Sequence, residues 1–139
     1  MLRANKYRKD KLCVLVGGPF GTDARYSAAS LNLTTQSFTE LPDPPLQCDQ
    51  YACAAAIGQF VYVVGVGNYR SLLVYDAQEK LWSTYDDILS ERRRFASVVT
   101  VDHRLYISGG GYSSTYDIVE TDGSTCTSIP GHNLRMKQK

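Results

Sequence analysis

The sequence has almost no excess of charge of either sign: 15 Lys and Arg against 14 Asp and Glu leave a net +1. A near-neutral chain has no overall field to draw it to nucleic acid or to an anionic membrane, so neither is expected as a partner. Histidine is scarce as well. Of the two, His103 falls in a turn and His132 in a basic tail, and neither has a neighbour in sequence that would orient a general base or share a metal. The four cysteines, Cys13, Cys48, Cys53 and Cys126, include no CxxC pair. Zinc sites use two close ligand pairs, so free buried thiols in a reducing, cytoplasmic setting are expected instead. No catalytic residue, metal ligand or cofactor is assigned, and the chain is not expected to be an enzyme.

Long apolar runs and helical periodicity are missing too. Residues 52–66 are apolar almost throughout, but Gly58 and Gln59 interrupt them, and they fall short of the ~20 residues of a spanning helix. They suit a hairpin better. Residues 1–11 followed by the apolar run 12–16 imitate a secretory signal, yet Gly17 and Gly18 end that run too soon. The segment GVGNYR (65–70) begins like a dinucleotide-binding loop, but Arg70 stands at the third glycine position and no helix pattern follows. No segment sustains a 3.6-residue period between caps, so almost no helix is expected. Residues 88–95 could make a turn at most.

What the chain does have is a folded protein's balance, 43% hydrophobic and 21% charged over 139 residues, enough for one ordinary domain. It also has an internal repeat, which changes any fold assignment. The segments CVLVGG (13–18), YVVGVG (62–67) and YISGGG (106–111) place their first glycines at Gly17, Gly65 and Gly109, 48 and 44 positions apart. Each is followed by an apolar segment ending on Phe38, Trp82 or Cys126, spaced 44 and 44. Upstream of the glycines, YACAAAIG (51–58) lies over FASVVTVD (95–102) at the same offset of 44.

Each unit reads as strands A to D. In the third copy these are about 95–101, 105–108, 115–120 and 125–129, with Asp122-Gly123 as a two-residue hairpin turn. The units divide the chain into a basic segment 1–11, repeats at 12–46, 47–90 and 91–131, and a basic tail 132–139. The first repeat has strands B to D only, because residues 1–10 are too polar and charged to supply strand A.

The order of apolar strand, paired glycines, Tyr75-Asp76, then Trp82 seven residues after the tyrosine resembles Kelch repeats. The resemblance runs over about residues 12–130, with degenerate copies. Gly18 and Gly110 supply the second glycine in copies one and three, whereas copy two has Val66; Leu31 and Val119 replace the tyrosine, and Phe38 and Cys126 the tryptophan. It implies an all-β partial β-propeller of about three four-stranded antiparallel blades, the first lacking strand A. The glycines would allow sharp turns near the axis, and the Tyr and Trp would pack between neighbouring sheets. Closed propellers have about four to eight blades. An arc of three is therefore expected either to belong to a longer ring or to close by self-association.

The resemblance further implies a protein-protein interaction module, similar to the substrate-recognition domains of cullin-RING ubiquitin ligase adaptors. Those adaptors carry BTB and BACK domains before the propeller, and neither is read in this sequence, so ligase recruitment would need a longer protein. An actin-binding or other cytoskeletal Kelch protein is the alternative, and a carbohydrate-active propeller of mutarotase or oxidase type a distant one.

Recognition in such folds sits on loops at one end of the blades. Here these are the B–C loops at 19–26, 68–71 and 112–114 and the approaches to strand A at 47–50 and 91–94. They carry the expected partner-binding residues Phe20, Arg25, Tyr26, Asp49, Tyr69, Arg70, Arg92, Arg93, Tyr112 and Ser113. Arg93 sits sixteen positions before Gly109, where Kelch adaptors commonly place a ligand-binding arginine, and copy two has Asp49 there. Arginine forks suit carboxylates and phosphates, so the expected ligand is a protein or an acidic peptide.

Overall fold

The computed structural model describes residues 11–17, 26–48, 50–111, 114–122 and 125–129. They form eleven strands and no α-helix, in three antiparallel sheets. Sheet 1 holds β1 (Leu12–Val16), β2 (Ala28–Asn32) and β3 (Ser37–Glu40). Sheet 2 holds β4 (Cys53–Ile57), β5 (Phe60–Val66), β6 (Ser71–Asp76) and β7 (Leu81–Tyr85). Sheet 3 holds β8 (Ser97–Val101), β9 (Arg104–Ser108), β10 (Tyr116–Thr121) and β11 (Cys126–Ser128). Every sheet is a meander in chain order and none closes on itself, an arrangement compatible with a partial propeller. No helix of the described residues is long and apolar enough to cross a membrane. The apolar stretch 52–66 is the hairpin of β4 and β5, turning at Gly58-Gln59.

Sheet 2 is the middle layer. Its strands β5 and β6 are buried on both faces, which is why they read as continuous apolar runs rather than alternating ones. Tyr62, Val64, Leu72 and Val74 face sheet 3 and pack with Leu105, Ile107 and Val119. On the other face Val63 and Leu73 meet Val16 and Cys48, while Tyr75 packs with Ala28, Leu41 and Val14 of sheet 1. Trp82 lies against Tyr75 with ring centroids 4.6 Å apart, and its Nε1 donates to the Pro42 carbonyl at 2.7 Å. The Tyr75-Trp82 pair thus packs between sheets as the repeat pattern implies. The strands β4 and β8 bring sheets 2 and 3 closest, and the Tyr62 hydroxyl bonds to Thr121 Oγ1 at 2.9 Å across that seam. Burial there pushes the Tyr62 hydroxyl and the Cys53 and Cys126 thiols above their ordinary values, so all three stay neutral.

The repeat extends to the turns. Asn32 Oδ1 accepts from Thr34 N and Thr35 N, and Asp76 Oδ1 accepts from Gln78 N and Glu79 N. In both turns the fourth residue, Gln36 or Lys80, takes a φ of 57°. Asx turns of this kind explain why Asn or Asp stands at that place. In the third copy Thr121 pairs with Cys126 and Asp122 N donates to Thr125 O at 3.2 Å, while Gly123 of the expected Asp122-Gly123 turn lies outside the described residues. Asp122 Oδ1 also accepts from Thr125 N at 3.2 Å. Strand A of that copy begins at Ser97 rather than Phe95, because Phe95 sits in a turn with φ 59°.

The repeat glycines are close-approach points. A Cβ on Gly65 (φ +81°) would lie 2.4 Å from the Tyr51 carbonyl oxygen and 2.9 Å from that of Arg93, and one on Gly17 2.2 Å from the Cys48 carbonyl oxygen. Gly58 also has positive φ, but its Cβ would meet nothing within 4 Å. Gly58→Ala should therefore cost only the left-handed strain, about 1–2 kcal/mol. Gly65→Ala adds backbone displacement and should lose clearly more, as read from urea unfolding midpoints of the two variants.

Candidate functional site

Three consecutive arginines in the approach to β8 take three different roles. Arg93 is fully buried. Its Nε and Nη2 donate to Asp117 Oδ2 at 3.0 and 2.9 Å, and Nη1 donates to the Gly109 and Thr115 carbonyls at 2.7 and 3.0 Å. Nη2 also reaches Thr115 Oγ1 at 3.0 Å and Ser90 Oγ at 3.3 Å. The guanidinium is saturated, and Asp117 additionally accepts from Ser90 N at 3.2 Å. This corrects the role expected for Arg93 from its place in the repeat: it has no surface to offer a partner, because it locks the 88–96 loop onto β10. The sequence signal that could have told this is one repeat upstream, where Asp117 corresponds to Leu73 and Arg93 to Asp49. Only the third copy pairs an arginine with an acid at these two places.

Arg94 and Arg92 turn outward onto aromatic rings. The Arg94 guanidinium carbon lies 4.2 Å from the Tyr51 ring centroid and 5.2 Å from that of Tyr69, and Arg92 lies 5.1 Å from Tyr69. Tyr51 stands edge-to-face with Tyr69 at 5.9 Å and with Phe95 at 4.5 Å. Stacking on a ring face holds an arginine by its plane and leaves its edge for hydrogen bonds. The Arg94 Nε is buried, with no hydrogen-bond partner among the described residues. Arg70 joins from the β5–β6 loop, steered by its Nε, which donates to the Leu89 carbonyl at 3.2 Å.

Backbone bonds fix these loops to one another. Arg93 N donates to Tyr69 O at 2.7 Å, Phe95 N to Tyr51 O at 3.2 Å, and Gly111 N to Arg94 O at 2.7 Å. Tyr69 and Phe95 both hold positive φ, 71° and 59°. Large aromatic side chains rarely adopt that conformation, and strain of this kind gathers where the surrounding fold over-determines a functional surface. Phe95 is nevertheless 66% exposed. An open cleft of about 690 Å³ runs beside the cluster, lined by Arg70, Ser90, Glu91, Arg92, Arg94, Gly110 and Gly111. Glu91 is the acidic group in it. Its carboxylate is drawn inward, accepting from Thr115 Oγ1 and lying 3.8 Å from Arg93 Nη1.

Of the residues expected from sequence, Tyr69, Arg70 and Arg92 come together at this cleft. Tyr26 is 39% exposed at the lead into β2 of sheet 1, and it has no contact with the cluster among those described. Phe20, Arg25, Asp49, Tyr112 and Ser113 lie outside the described residues. Sequence reasoning placed Arg94 in the 91–94 approach loop without naming it as a binding residue, and it missed Tyr51 and Phe95. Tyr51 and Phe95 read as the starts of strand A, and their equivalence in the 44-residue repeat is the signal that two aromatics meet at neighbouring approach loops. His103 lies at the other end of the strands, in the β8–β9 turn, beside a second cleft of about 730 Å³ that includes Gln59, Glu120 and Asp122. No metal-holding group of three or more His, Cys, Asp or Glu occurs among the described residues.

No family model and no curated protein matches this chain.

Removing one partner of a buried ion pair leaves the other charge uncompensated, at about 3–5 kcal/mol. Arg93→Ala should therefore lower unfolding free energy by about that amount, whereas the exposed Arg92→Ala should stay within about 0.5 kcal/mol of the parent. Urea denaturation of the two single variants checks both values.

Proposed function

We propose that this chain is part of a Kelch-type β-propeller and works as a protein-interaction module. It binds acidic or phosphorylated segments of partner proteins through the approach-loop surface of sheets 2 and 3. The observation that carries the reading is Arg94, stacked on Tyr51 and Tyr69 at the edge of a cleft that Arg92 and Arg70 also line. Tyrosine and arginine dominate interface hot spots because each combines a large rigid contact area with polar edges. A planar fork held on aromatic rings is pre-organised to receive a carboxylate or phosphate in two parallel hydrogen bonds. Glu91 offsets one of the three arginine charges at the cleft and leaves its lining net positive. The repeat pattern and the loop content described above resemble those of the substrate-recognition domains of cullin-RING ligase adaptors. Four cysteines that form no disulfide with one another suit a reducing compartment, and we place the protein in the cytoplasm.

A labelled Asp/Glu-rich peptide titrated in fluorescence polarisation should bind the parent chain more tightly than its Asn/Gln counterpart. Arg94→Ala should weaken the acidic peptide at least about fivefold, the ratio that corresponds to ~1 kcal/mol. Equal affinity for both peptides, or for parent and variant, refutes the reading.

A further inference from the structure

The arginine cleft at the seam of sheets 2 and 3 has a charge and a shape that a single carboxylate does not match. Its lining holds Arg70, Arg92 and Arg94 against one acid, Glu91, and so carries two net positive charges. A carboxylate neutralises one of them. A phosphate monoester carries about −1.5 to −2 at pH 7 and neutralises both.

The three guanidiniums also arrive from different directions. Arg70 comes from the β5–β6 loop, held by one edge of its fork through the bond from Nε to the Leu89 carbonyl at 3.2 Å. Arg92 and Arg94 come from the approach to β8, the first 5.1 Å from the Tyr69 centroid and the second 4.2 Å from that of Tyr51. Those two rings stand edge to face, with 82° between their planes. A guanidinium stacked on a ring lies parallel to it, so forks on different rings approach a common ligand in crossed planes. A carboxylate is planar and suits one fork. A phosphate monoester offers three acceptor oxygens in a tetrahedral array, one for each arginine. The cleft has room for that bulk: Gly110 and Gly111 border it, and a Cβ on Gly111 would meet nothing within 4 Å.

We propose, building on the acidic-ligand reading of the same cleft, that its preferred ligand is a phosphorylated side chain of a partner protein. The dianionic phosphate sits among Arg70, Arg92 and Arg94, and a carboxylate side chain is a weaker substitute. The preference then depends on the charge state of the ligand. A phosphate monoester gives up its second proton near pH ~6, so binding strengthens as pH rises through that region and weakens on acidification. The charged groups that face it are the three arginines, which keep their protons throughout, and Glu91. Protonating Glu91 would make the cleft more positive and act in the opposite sense. A loss of affinity on acidification therefore reports the phosphate.

Three labelled peptides of one sequence, with serine, glutamate or phosphoserine at a single central position, are titrated against the full chain by fluorescence polarisation. The phosphoserine peptide should bind at least about tenfold more tightly than the glutamate peptide at pH ~7.5, and this margin should fall about twofold or more at pH ~5.5. Arg70→Ala and Arg92→Ala, each confirmed as folded by circular dichroism, should each cut the margin to about threefold or less. Inorganic phosphate should displace the phosphoserine peptide only at a concentration at least about tenfold above that of the unlabelled peptide, because a protein segment adds contacts around the anion. Displacement by the two at equal concentration marks a site for free phosphate and overturns the proposal. So does a margin that ignores pH or survives both arginine variants. Equal binding of the phosphoserine and glutamate peptides, each tighter than the serine peptide, removes the phosphate preference alone and leaves the acidic reading standing. Equal binding of all three peptides overturns both.

Discussion

The packing of sheet 2 between two neighbours is the constraint on which the rest depends. A sheet with both faces apolar has no stable arrangement in water until both are covered. Sheet 1 covers the face of Val63, Leu73 and Tyr75, and sheet 3 covers the face of Tyr62, Val64 and Val74. Each junction needs backbones to pass closely at the strand ends, and there Gly17 and Gly65 let the chain run against the next approach loop. Glycine at these two places is thus a consequence of sheet packing. The same packing draws the approach loops of sheets 2 and 3 together, so that Tyr51 and Phe95 meet edge to face.

On that platform three adjacent arginines divide between fold and surface. Arg93 turns inward because Asp117 stands on the inner face of β10, where one repeat upstream a leucine fills the space. A buried guanidinium requires its donors to be satisfied, and two carbonyls, two hydroxyls and a carboxylate do so here. With Arg93 anchored, Arg92 and Arg94 on either side are directed onto Tyr69 and Tyr51. The proposed binding surface and the structural ion pair are therefore one construction: the buried arginine positions the two arginines that line the cleft.

Much of the fold was legible in the residues. The 44-residue register predicted three meanders and the interleaved Tyr75 and Trp82, the Gly58-Gln59 break predicted a hairpin over 52–66, and the polar start predicted a first repeat of three strands, the number described in sheet 1. Less of the site was legible. Phe95 read as a strand residue because its apolar neighbours alternate, but its positive φ belongs to a turn imposed by the Tyr51 carbonyl that its amide meets. Arg93 read as a ligand contact because a position in a repeat carries no information on which way a side chain turns.

The sequence by itself determined the number and order of the sheets and which faces are apolar, because alternation and glycine spacing are local properties that each repeat states separately. Only the tertiary structure decided which arginine is buried and which rings stack beneath the others. Those outcomes depend on side chains 23 to 44 positions apart, such as Arg92 with Tyr69, Arg93 with Asp117 and Tyr51 with Phe95, and nothing local records that they meet.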